Sequence, residues 1–283
     1  MGNQYVKNLQ SYDSYYCSPN DLVDFISSQQ NKYCLFLDID GTLADFQLDP
    51  EDTFIPQNTL EVIQRILQHK VPVIAVTGRS VQVAQQLFSP MLVPIAGTHG
   101  LEIQMDQTTT LQTDVQADDF VQIQQELKVL CQSSPELLIE NKKYAVALHY
   151  RQYPEFAEIA QQIMQTLLQR YSALKLNQGK YVFELLPKQA DKGEAIQTIL
   201  NYLNIPKVLP IFIGDDRTDE TGFIKINRLD GISIKVGQGE TQARFRLENI
   251  EKVADFLASF SEVLATRLIT KSQLVNGESI CLN

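Results

Sequence analysis

Asp38 and Asp40 stand one residue apart at the end of the apolar run Cys34-Leu35-Phe36-Leu37, and a Gly41-Thr42 turn follows them. A continuous apolar run reads as a strand buried on both faces of a parallel sheet, and in such sheets ligands bind beyond the carboxyl ends of the strands. Side chains two apart in a strand point the same way, so the two carboxylates share a side while Ile39 points opposite. Like charges placed so close repel unless a cation or a proton intervenes. Taken alone, Asp-x-Asp-Gly is also an ordinary turn or cap sequence. A second acidic group, Gly214-Asp215-Asp216-Arg217-Thr218-Asp219-Glu220, follows another apolar strand, Val208 to Ile213. Parallel strands end on one edge, which brings the two groups together there. Carboxylates without a spare histidine suit a hard cation such as magnesium. Capping competes for the same residues: Asp216 or Thr218 can cap the helix through Phe223, with Asp219 and Glu220 in its first turn.

A carboxylate held against a cation can attack phosphorus and form an aspartyl-phosphate, dividing a slow hydrolysis into two steps. A second acid must then protonate the leaving alcohol and later deprotonate water. Asp38 and Asp40 can divide those tasks. Phosphoryl transfer further needs donors to the equatorial oxygens. Thr77, in Thr77-Gly78-Arg79-Ser80, offers a hydroxyl, and Lys192, in Asp191-Lys192-Gly193-Glu194, offers a charge.

The elements that hold these groups follow from apolar periodicity. A helix is predicted over 20–30, then the strand before Asp38, a helix carrying Val62, Ile63, Ile66 and Leu67, and a strand from Val71 to Val76. Strand, helix, strand at this spacing is a right-handed crossover unit. A helix from Ser80 and a strand over Val93 to Ala96 continue the alternation. Between about 106 and 186 the order becomes helix, hairpin, helix, hairpin, which predicts an α+β module with helix faces packed on an antiparallel sheet. Alternation then returns with a helix face of Ile196, Ile199, Leu200 and Leu203, strands at Val208 to Ile213 and Ile232 to Val236, and a closing helix through Leu264. The last fifteen or so residues read as a loose tail. The expected fold is α/β: a doubly wound, Rossmann-like parallel sheet from 1–107 and 187–283, interrupted by an α+β cap at 108–186, with hinges near 105–112 and 185–190.

Composition bounds the partners. The chain has 283 residues, 44% hydrophobic and 20% charged, with 24 Lys and Arg against 34 Asp and Glu. A net charge of −10 argues against nucleic-acid binding, which leans on a basic footprint. It also means an anionic substrate needs local cations. Four separated cysteines read as structural thiols. The polar, tyrosine-rich amino terminus and the lack of an 18-residue apolar stretch predict a cytoplasmic protein with no membrane partner.

Asp-x-Asp-Gly-Thr, Thr-Gly-Arg, Lys-Gly and Gly-Asp-Asp-x-Thr-Asp-Glu, in that order over about 180 residues, resemble the haloacid dehalogenase-like superfamily of phosphatases. The insertion looks like the α/β cap (C2B type) of its sugar-phosphatase branch. Gly97-Thr98-His99-Gly100-Leu101-Glu102, Ala147-Leu148-His149-Tyr150-Arg151 and Gly179-Lys180-Tyr181-Val182-Phe183-Glu184 resemble the bacterial trehalose-phosphatase family, the similarity running from about 34 to 262. That resemblance implies magnesium-dependent hydrolysis of trehalose 6-phosphate. It implies Asp38 as nucleophile and Asp40 as general acid/base. Magnesium would be held by Asp38, Asp215 and the backbone carbonyl of Asp40, where bare spacing makes both motif carboxylates ligands. Thr77 and Lys192 would hold the phosphoryl oxygens, and Asp216 and Asp219 would orient Lys192 or the metal waters. His99, Glu140, Lys142, Arg151, Lys180 and Glu184 would face the sugar, while His149 is read as packing. The expected partner is this small molecule, with the protein a monomer. Three rivals remain open: a relative acting on sucrose 6-phosphate or mannosyl-3-phosphoglycerate, a non-catalytic sugar-phosphate sensor, and a receiver-type signalling domain.

Overall fold

The structure, a computed structural model, describes residues 15–29, 32–47, 49–111 and 118–277. The amino-terminal half of the larger layer comprises β1 (Tyr15–Tyr16), α1 (Pro19–Ser27), β2 (Lys32–Leu37), α2 (Gln57–Gln68), β3 (Val73–Val76), α3 (Val81–Phe88), β4 (Ile95–Gly97), β5 (Glu102–Gln104) and β6 (Thr110–Leu111). A second group follows: α4 (Asp118–Leu130), β7 (Leu138–Lys142), β8 (Ala145–His149), α5 (Ala157–Leu168), β9 (Leu174–Gly179) and β10 (Val182–Pro187). The chain then returns as α6 (Lys192–Leu203), β11 (Val208–Gly214), α7 (Glu220–Arg228), β12 (Ile232–Val236), β13 (Phe245–Leu247) and α8 (Ile250–Gly277).

Nine strands form one sheet in the order β1-β13-β12-β11-β2-β3-β4-β5-β6, parallel except at the β4-β5-β6 edge. The apolar runs explain its burial on both faces. Leu35 and Leu37 of β2 join one core with α1, α2 and α8, whereas Cys34 and Phe36 join the other with α6 and α7. The short strands β5 and β6 on one side of the sheet mix polar and apolar residues too briefly to show a period. Thr110–Leu111, on the cap side of the division drawn from sequence, lies in this larger sheet. α8 continues to Gly277, past the start of the tail expected from about 269.

The four remaining strands pair antiparallel in the order β7-β8-β10-β9. Phe120, Ile123 and Leu127 of α4 and Met164 and Leu167 of α5 pack on Val146, Leu148, Phe183 and Leu185, which occupy one face of this sheet. Period-two alternation leaves Glu140, Ala147, Glu184 and Asn177 as one cross-strand row on the opposite face. The return to the larger sheet is short. Lys188 N–H donates to Ala173 O, Ala190 N–H donates to Pro187 O, Ala190 is buried, and Asp191 caps α6 by accepting from Glu194 N–H at 3.0 Å.

Candidate active site

Leu37 lies opposite Ile213 of β11 on one side and Ala75 of β3 on the other. Asp38, Thr77 and Asp215 therefore leave three adjacent strands at nearly one level. The chain turns at once: Ile39 O accepts from Leu43 and Ala44 N–H, and Gly41 takes φ +80°. A side chain at Gly41 would put its Cβ 2.1 Å from Asp215 Oδ2, so glycine both makes the turn and admits the second acid.

Lys192, at the start of α6, is 2% exposed and bridges the groups. Its Nζ donates to Asp38 Oδ1 at 2.9 Å and to Asp219 Oδ1 at 2.6 Å. Asp219 Oδ2 accepts Asp216 N–H at 2.9 Å, so the cap expected at this loop and the ion pair to Lys192 use the same carboxylate. Asp38, Asp215 and Asp219 bring oxygens within 4.8 Å of one another. Burial, reinforced by the neighbouring carboxylates, pushes Asp215 up to about 9. Burial likewise pushes Asp38 up to about 8 even though Lys192 opposes it. Asp215 Oδ1 is buried without a hydrogen-bond partner. Crowded carboxylate oxygens, one of them unsatisfied, fit a hard divalent cation.

The smaller sheet covers this edge. Glu184 Oε2 lies 2.6 Å from His99 Nε2, and Glu184 Oε1 accepts from Lys142 Nζ at 2.6 Å. Lys142 also donates to Gly78 O at 3.0 Å, so the two sheets are joined through both residues. Burial would raise Glu184, but Lys142 and His99 outweigh it and hold the carboxyl far below the usual range. His99 sits in a left-handed turn (φ 54°) after Thr98 (φ 47°), a conformation costly for a β-branched residue. Backbone bonds from Thr98 N–H to Arg79 O and from His99 N–H to Thr77 O hold that turn against the β3 end. Arg151 donates to Gln47 O, and its guanidinium lies 5.3 Å from the Phe46 ring centroid. Lys180 Nζ lies 4.4 Å from the same centroid.

One cleft between the sheets is lined by Asp38, Asp40, Thr77, Lys192, Asp215 and Asp216 from the larger layer and by Glu140, Lys142, Arg151, Lys180 and Glu184 from the smaller, with His99 between them. Asp219 lies behind Lys192 and is fully buried. Lys180 occupies the β9-β10 turn, outside the strand that carries Glu184. Several further residues line the cleft. His149, read as packing, pairs through Nε2 with Glu140 Oε2 at 2.9 Å, and alternation along β8 was the signal that places it on the cleft face. Asn177 lies opposite Glu184 in the register, and Phe46 and Arg79 also line the cleft. No helix among the described residues is long and apolar enough to cross a membrane.

The doubly wound sheet, with paired aspartates after β2, an aspartate after β11, a lysine at the start of α6 and an antiparallel α+β layer above them, is the arrangement expected from the resemblance to the haloacid dehalogenase-like phosphatases. A solved sugar phosphatase of their subclass IIB shares the fold, with TM-score 0.57 and 15% identity over 82% of this chain and 99% of that one. The family described as trehalose-phosphatase matches residues 36–251, and this chain belongs to it. It is 34% identical over 243 residues to the trehalose-6-phosphate phosphatase of Escherichia coli (strain K12), covering 86% of this chain and 90% of that protein. The C-terminal domain of C. albicans trehalose-6-phosphate phosphatase shares the fold more closely, with TM-score 0.77 and 19% identity over 89% of this chain and 99% of that one.

Proposed function

We propose that this protein hydrolyses trehalose 6-phosphate to trehalose and inorganic phosphate through an aspartyl-phosphate on Asp38. The observation that carries this is the facing of Asp38, Asp40 and Lys192 with the Glu140, Lys142 and Glu184 surface across one cleft. An Asp38 oxygen attacks phosphorus, and Asp40 gives a proton to the departing sugar oxygen. Water then attacks the phosphoryl group, Asp40 takes its proton, and Asp38 is regenerated. Thr77 and Lys192 donate to the phosphoryl oxygens, and Asp216 and Asp219 keep Lys192 and its surroundings in place. Magnesium would be held by Asp38, Asp215 and the Asp40 carbonyl; when bound it would favour the ionised form of these acids, which burial opposes, and offset the charge of the phosphoryl group. The smaller layer, α4 to β10, chooses the sugar together with His99, and the larger layer performs the chemistry. The planar and bidentate partners offered by Glu140, Arg151 and Glu184, with Lys142, Lys180 and His99, suit a hydroxyl-rich disaccharide.

Turnover of a panel of trehalose 6-phosphate, sucrose 6-phosphate, mannosyl-3-phosphoglycerate and glucose 6-phosphate tests the substrate. Trehalose 6-phosphate is expected to lead by at least about tenfold in kcat/KM, a margin worth roughly 1.4 kcal/mol. Comparable turnover of sucrose 6-phosphate with none of the trehalose ester would sink the assignment. The metal is tested apart from activity. Chelator-treated protein is expected to gain several degrees of Tm in excess Mg2+, since saturation at 100 times Kd adds about 2.7 kcal/mol. Asp215→Asn should lose that gain; an equal gain in the variant would place the ion elsewhere.

A further inference from the structure

Arg79 has no part in the chemistry above, yet its guanidinium is fixed on every side. Nε donates to Asp40 Oδ2 and Nη2 to Asp40 Oδ1, both at 2.7 Å, as a bidentate pair. Nη2 also donates to Thr53 Oγ1 at 2.7 Å and Nη1 to Pro50 O at 3.1 Å. The backbone is tied as well, with Arg79 N–H donating to Thr77 Oγ1 at 3.2 Å and Arg79 O accepting from Thr98 N–H. The side chain is 11% exposed, so this is no loosely solvated surface pair. A guanidinium has five N–H donors, and four are engaged with protein, which leaves one for any ligand. Arg79 is thus built to hold Asp40, not to wrap a phosphate.

Asp40 differs from Asp38 in receiving no bond from Lys192, whose Nζ goes to Asp38 and Asp219. A carboxylate at a turn is free to rotate, and a general acid that points away from the leaving oxygen does nothing. We propose that Arg79 is a positioning residue for Asp40, aiming the carboxyl at the leaving sugar oxygen. Phe46 and Gln47, which precede Pro50 and Thr53 in the chain, are contacted by Arg151 and Lys180, from the loop after β8 and the β9-β10 turn. This inference rests on Asp40 being the acid and base.

The test compares kcat/KM on trehalose 6-phosphate, whose alkoxide needs a proton to leave, with kcat/KM on p-nitrophenyl phosphate, whose phenolate does not. Asp40→Asn is expected to lose at least about 30-fold more on the sugar ester than on the aryl ester, within the 10²–10⁴ that acid catalysis supplies. Arg79→Ala should show the same split, at least about tenfold, with the loss in kcat and KM on the sugar ester within about threefold. Arg79→Lys, which cannot make the bidentate pair, should recover little, and added guanidinium ion should recover Arg79→Ala severalfold. Thr53→Val, which keeps its shape and loses one anchor, should show the split at about threefold and decides the matter if Arg79→Ala does not fold. Equal losses on both esters in the Arg79 and Thr53 variants, with the split intact in Asp40→Asn, would overturn the role of Arg79. No split in Asp40→Asn would instead overturn Asp40 as the acid.

Discussion

Asp38→Asn lowers turnover of trehalose 6-phosphate by a factor on the order of 10⁴ or more, the scale seen when a covalent nucleophile is removed, and leaves the protein folded. The second half of that expectation comes from electrostatics. Burial outweighs Lys192 and raises Asp38 to about 8 from 3.8. Because the folded protein binds this proton more tightly than the unfolded chain does, ionising Asp38 works against folding. The cost is absent below about pH 4, grows as pH rises to about 8, and is constant above that. Metal-free wild type should therefore fall progressively behind Asp38→Asn in thermal stability between those limits. Retained turnover would refute covalent catalysis through Asp38, and parallel melting curves across the pH range would refute the electrostatic account.

Lys192→Met carries the largest expected effect on stability. The lysine and Asp219 are almost completely buried, and Lys192 holds both Asp38 and Asp219. Removing the cation leaves two buried acids without it, which costs about 3–5 kcal/mol. For a chain of this size that is a Tm lower by on the order of 10 °C. Adding Asp219→Asn should restore part of the loss, since the second variant removes one of the stranded charges. Differential scanning calorimetry of the single and double variants in chelator measures both effects. A single variant melting within a degree of wild type would mean that Lys192 is not the counter-ion of this cluster.

The catalytic edge was readable because its residues sit at strand ends, and strand ends are marked by apolar runs that stop. Leu37, Val76 and Ile213 each end such a run, so Asp38, Thr77 and Asp215 could be placed on one edge without coordinates. The two hairpins of the smaller sheet were readable for a related reason, as two helix-hairpin units in succession. What stayed hidden depends on loops meeting at a distance. Arg79 reaches Asp40 across 39 residues, and Lys142 reaches Gly78 O across 64. His149 was misread because a histidine on a largely apolar strand is usually packing; its partner Glu140 is visible only once the β7-β8 register is known. The β5 and β6 edge and the short β1 and β13 are too brief for any periodicity to mark them.

The connection between β10 and α6 bears on how selectivity is expressed. Only Lys188 to Asp191 separate Pro187 from Lys192, and the stretch is pinned by backbone bonds, a buried Ala190 and the Asp191 cap. Glu184 and Lys192 thus lie eight positions apart along one short, hydrogen-bonded connection, at the place where the sequence predicts a hinge. On the roles proposed for Glu184 and Lys192, a sugar seated badly against Glu184 would carry its error through this connection to the Lys192 ammonium. Wrong sugars would then be penalised at the speed of reaction more than in the tightness of their binding, each a slow passenger instead of one turned away at the door.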